Sequence, residues 1–115
     1  MFKVTIFKTI WAGDLPSDEG AFTDLKFISE EYPDCVPLEY TLELAFAPYA
    51  GLSINNDPGD HNFRSGEINK VTWFNQERLF GCWVDDAKPY SARGCDYSYE
   101  WLIDSALKDG WVITK

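Results

Sequence analysis

A chain of 115 residues has room for one domain and not for two, and at this length it buries enough surface to fold without a metal or disulfide staple. With 45% hydrophobic and 17% aromatic residues it is too apolar for a disordered chain. A formal net charge of −9 argues against binding to nucleic acid or to an anionic membrane, and for a basic partner.

The charge is concentrated. Residues 12–43 hold nine acids (Asp14, Asp18, Glu19, Asp24, Glu30, Glu31, Asp34, Glu39 and Glu43) against the single base Lys26. The three cysteines, Cys35, Cys82 and Cys95, are odd in number and widely spaced, which fits free thiols better than a disulfide framework or a zinc site. The longest apolar stretches, such as Leu44–Ala50, are too short to cross a bilayer. The first residues alternate instead of forming an apolar run with a cleavage site, so a cytoplasmic location is expected.

Along the chain, residues 2–11 read as a strand, with Phe2, Val4, Ile6 and Ile10 on one face and Lys3, Thr5, Phe7, Thr9 and Trp11 on the other. Residues 12–20 are rich in turn formers. Over residues 21–32, Phe22, Leu25, Ile28 and Tyr32 have helical spacing, while Leu25 and Phe27 also fit a short strand. A short helix ending before Pro33 is the preferred reading. Residues 37–47 alternate cleanly, placing Leu38, Tyr40, Leu42, Leu44 and Phe46 inward and Glu39, Thr41 and Glu43 outward. Gly51, Leu52 and Ile54 allow a brief further extended stretch, and 55–66 form a long polar loop.

Residues 67–74 and 78–85 read as an aromatic hairpin, with Gly81 marking a bulge or a close backbone approach. Residues 86–97 read as a loop. A helix over 98–109 has Tyr99, Leu102, Ile103, Ala106 and Leu107 as its buried stripe. Ser98 or Asp96 can cap it, Glu100 and Lys108 suit its dipole, and Gly110 stands where a left-handed residue ends helices. Residues 111–114 close as a strand. The expected architecture is α+β, one domain over 1–115, with a mainly antiparallel sheet packed against the C-terminal helix.

Motifs for chemistry are sparse. His61, the only histidine, lies beside Asp57 and Asp60, but no nucleophile elbow accompanies it. Asn55, Asp57, Asp60 and Asn62 depart from calcium-loop spacing. Asp85 and Asp86 end a strand, where alternation sends neighbours to opposite faces. Neither a catalytic residue, nor a metal site, nor a cofactor is expected, and the chain is read as a non-enzyme. Most of the five tryptophans are expected in the core. Trp101 flanks the helix stripe, either as an interface anchor or packed under 86–97.

In size, acidity and lack of motif the chain is similar to immunity proteins of bacterial toxin systems and to phage inhibitors that mimic nucleic acid, a likeness of composition that carries no residues over. The expected function is neutralisation of a basic protein such as a toxin, a nuclease or another nucleic-acid-binding protein. Asp14, Asp18, Glu19, Asp24, Glu30, Glu31, Asp34 and Trp101 are the expected contact residues. The alternatives are a small enzyme or ligand-binding domain built on loop 55–66, and a structural or assembly subunit.

Overall fold

The structure, a computed structural model, describes residues 1–13, 31–54, 66–92 and 94–114. The expected helix over 21–32 falls outside these residues except at its end. Strand β1 (Phe2–Trp11) is central. It pairs antiparallel with β2 (Cys35–Leu44) over ten consecutive positions, from Phe2 opposite Leu44 to Trp11 opposite Cys35. Beyond β1 come β5 (Leu79–Val84), β4 (Gly66–Phe74) and β3 (Ser53–Ile54), and β8 (Val112–Ile113) lies outside β2. The order is β3-β4-β5-β1-β2-β8. All pairings in this sheet are antiparallel except β1 with β5. The α+β, mainly antiparallel expectation therefore holds, with one parallel pair at the centre.

Two boundaries depart from the sequence pattern. The second strand ends at Leu44 instead of residue 47, because Phe2, its last partner on β1, is used up there. Phe46, expected inward, is consequently exposed. The expected loop 86–97 contains a small hairpin, β6 (Tyr90–Ala92) and β7 (Cys95–Tyr97), held by stacking of Tyr90 on Tyr97 at 4.7 Å.

Helix α1 (Tyr99–Lys108) lies one residue inside the expected span at each end. Ser98 caps it by accepting the Trp101 N–H on Oγ at 3.1 Å. At the other end the Trp111 N–H donates to the Ala106 carbonyl (3.0 Å) and the Gly110 N–H to the Leu107 carbonyl (3.2 Å). This is the paired Schellman arrangement, and it requires the positive φ of 97° at Gly110. Tyr99 also ties the helix to the segment before β2, donating its hydroxyl to the Tyr32 carbonyl at 2.7 Å.

The helix covers one face of the sheet. Its Leu102, Ile103 and Ala106 share a core with Val4, Ile6, Ile10, Val36, Leu38 and Cys82. Of the tryptophans only Trp111 is fully buried, Trp83 and Trp101 are partly buried, and Trp11 and Trp73 are about half exposed. This corrects the expectation of a tryptophan-rich core. The indoles of Trp11 and Trp73 instead lie at the surface and donate to Asp86 and Asn75. An indole costs little there, because one edge is apolar and the other hydrogen-bonds.

Burial also sets a pH response. Cys35 and Cys82 are free thiols, and burial pushes the Cys82 thiol from 9.0 up to about 11. Burial also raises the Tyr99 hydroxyl, helped by the nearby charges of Cys35, Glu100 and Asp34. Both groups keep protons in the folded state that the unfolded chain releases. The Cys82 contribution is therefore complete below pH 9.0 and declines as pH rises toward 11, and the Tyr99 contribution declines from pH 10.0 upward. Urea midpoints should fall across that window, and Cys82→Val should flatten the fall. At neutral pH, Cys35 should react with a maleimide in the native protein, whereas Cys82 should react only as fast as the fold opens.

Candidate functional site

The face of the sheet away from α1 is built by the odd-numbered residues of β1 and β2. On it the Thr5 and Thr41 hydroxyls meet at 3.1 Å in a cross-strand pair. Phe7 stacks on Trp83 at 5.0 Å, and Phe74 leans on the same indole at 6.0 Å. Gly81 makes this aromatic floor possible. A Cβ there would sit under 3.0 Å from the Phe74 ring and 3.1 Å from both Phe7 and Trp83. The close approach that glycine signals within a strand is thus one of rings over backbone.

Next to the floor is a shallow depression of about 390 Å3 whose lining includes Phe7, Phe74, Glu39, Glu77 and Lys3. Glu43 stands opposite Lys3 on the same face. The Lys70 ammonium lies 5.3 Å from the centre of the Trp83 ring, so the floor already holds a cation over one indole. Sequence reading placed Glu39 and Glu43 on a polar, water-facing side of their strand, and Phe7 and Trp11 on a second, partly covered face of the first strand. What it missed was that these are one face, to which β4 and β5 add Phe74 and Trp83, because the pattern could not supply strand order.

A second cluster lies where the parallel pair is interrupted. Phe7 faces Trp83, but Ile10 faces Ala87, so one extra residue is accommodated along the chain after β5. Asp85 and Asp86 occupy this bulge. Alternation predicts that they diverge, yet the charges of both act on Lys8. Asp85 accepts from Asn69 Nδ2 at 2.6 Å and Asp86 from Trp11 Nε1 at 2.8 Å. Lys8 is the one charged residue on the β1 face that also carries Val4, Ile6 and Ile10. Burial lowers its pKa, and the two aspartates partly offset that. A lysine at an even position of this strand was the available signal. Chemically the cluster ties β1 to the strand end after β5.

Of the expected contact residues, Glu31 and Asp34 are exposed, and Asp34 lies close enough to Tyr99 to act on its ionisation. Trp101 is partly buried against the core and meets the Tyr97 ring edge-on at 4.7 Å, the packed alternative for this residue. Asp14, Asp18, Glu19, Asp24 and Glu30 lie outside the described residues, as do His61 and the loop oxygens Asn55, Asp57, Asp60 and Asn62. Among the described residues no three His, Cys, Asp or Glu side chains stand together as a metal-binding group. None of their helices is long and apolar enough to cross a membrane. No protein-family model, curated protein or solved structure matches this chain.

Proposed function

We propose that this protein is an acidic binding protein that neutralises a basic protein partner, and that the open sheet face is its contact surface. The observation that carries the reading is the floor of Phe7, Phe74 and Trp83, flanked by Glu39 and Glu77 and already supporting a lysine ammonium over Trp83, with Glu43 further along the same face. A partner's Arg or Lys meets there both requirements of a buried cation: an aromatic face beneath and carboxylates beside. The acidic segment 12–43, which includes exposed Glu31 and Asp34, adds the longer-range field that steers such a partner in. Targets whose own working surface binds nucleic acid carry the matching positive charge, which is why a toxin, a nuclease or another nucleic-acid-binding protein is the class proposed.

The test is association kinetics with the basic protein captured from the source cell. Changing Glu39, Glu43 and Glu77 together to glutamine should slow association on the order of tenfold at low salt and flatten its salt dependence. Asp104→Asn, on the helix side of the sheet, should leave the rate within about twofold, because its charge is already paired with Lys108 at 2.9 Å. Equal effects from the two variants would reduce the acidity to a solubility feature.

A further inference from the structure

Among the described residues, the sheet has an edge that is well formed yet only partly used. β8 covers β2 at Leu38 and Glu39 alone, and the chain before β8 leaves the edge at Trp111, which turns into the core. The Thr114 N–H donates to the Pro37 carbonyl at 2.9 Å, so the backbone of Pro37 points outward, as does that of every second residue after it. The N–H and C=O groups of Thr41 and Glu43 therefore face away from β1, and among the described residues no strand pairs with them. Among the described residues this stretch has little of the usual protection of an edge beyond the Glu43 carboxylate. It contains no proline from Leu38 to Leu44 and keeps unbroken register with β1. At the opposite side of the sheet, β4 is disrupted by a register shift between Ile68 and Lys70.

We infer that the partner presents an extended segment that adds as a strand to the outer edge of β2 along Thr41–Leu44, with basic and apolar side chains alternating. This rests on the reading of the protein as a binder of a basic partner and names how the partner is gripped. The alternation follows from the two faces of the edge. Glu39, Thr41 and Glu43 lie on the open face, with Glu39 already opposite Val112 of β8, so the added strand's residues on that face lie beside the Glu43 carboxylate. Leu42 and Leu44 lie partly buried on the other face with half-exposed Phe2, and are matched by apolar residues. A second copy of this chain is a poorer occupant, because it would bring its own glutamates onto the same acidic face.

The probe is a synthetic peptide of about ten residues alternating lysine and valine, with two derivatives N-methylated on the lysine or on the valine amides. The parent should bind and slow hydrogen exchange at the Thr41 and Glu43 amides. One methylated derivative should lose affinity on the order of tenfold or more and the other little, since only one set of amides faces β2. Glu43→Pro removes an outward N–H at an edge, which a fold tolerates. It should weaken the peptide more than Glu43→Gln, with the urea midpoint confirming that both variants are folded. Binding without protection at Thr41 and Glu43, or equal binding by both derivatives, would overturn the edge assignment while leaving the basic-partner reading in place. Failure of every peptide would also overturn it, and the glutamine series on the intact partner would then judge the parent reading separately. Protection of the same amides with no peptide present, together with dimerisation in sedimentation, would overturn it in favour of a second copy.

Discussion

Trp111→Ala should destabilise the protein by about 3–5 kcal/mol, a large share of what a domain of this size possesses. Trp111 is 1% exposed and is the largest fully buried side chain among the described residues. It meets the Tyr40 ring of β2 at 5.5 Å, and its backbone N–H closes the end of α1 on Ala106. The side chain therefore joins the helix end to the sheet at the point where the chain turns into β8. Truncation leaves a hole bounded by a ring and a helix end, and neither can collapse into it without undoing the Gly110 turn, where Tyr40 already comes within 3.3 Å of a would-be Cβ. Trp111→Phe keeps a ring against Tyr40 and should cost less than half as much. Urea denaturation of both variants against the parent measures the difference. An alanine cost below about 1.5 kcal/mol would show that helix and sheet are not joined here.

Leu42→Ala offers a contrast that explains what was legible in the sequence. Alternation alone places Leu42 inward with Leu38, and inward residues are expected to cost several kcal/mol when truncated. The faces are as the pattern says: Leu38 is buried and Leu42 shares its side of the sheet. But Leu42 is only partly buried. A ten-residue helix is roughly 15 Å long and a ten-residue strand roughly 33 Å, so the helix cannot cover the whole strand face. Which end stays bare depends on where α1 crosses, and that is tertiary information. The same shortfall leaves Phe2 and Trp73 about half exposed, although their strands have the composition of a core.

Local signals fared better where the chemistry was local. Ser98, Gly110 and the stripe of Tyr99, Leu102, Ile103 and Ala106 define α1 to within a residue, because caps and periodicity act within a few residues of where they are read. The aromatic floor required three strands to be placed side by side, and alternation carries no information on strand order. The convergence of Asp85 and Asp86 on Lys8 required a bulge, which breaks the rule that separated them.

Gly81→Ala should weaken binding while leaving the protein folded. Gly81 is buried in β5 beneath the rings of Phe74, Phe7 and Trp83, and an added Cβ would run into Phe74 first. Phe74 ends β4 and is only partly buried, so its ring can swing outward at a modest cost of about 1–2 kcal/mol. That swing removes the contact between Phe74 and Trp83 and turns the level floor into a ridge. A basic side chain that needs a flat aromatic face then loses its seat, and affinity for the basic partner should drop on the order of tenfold or more. Near-UV circular dichroism should change as the coupling between Phe7, Phe74 and Trp83 is altered, giving a check that does not depend on the partner. Adding Phe74→Leu to Gly81→Ala makes room for the new methyl. Stability should then recover while affinity stays low, because the ring itself is gone. If Gly81→Ala changes the aromatic signal but leaves affinity intact, the floor is not where the partner sits. The contact would then have to be carried by the acidic segment or by the β2 edge alone.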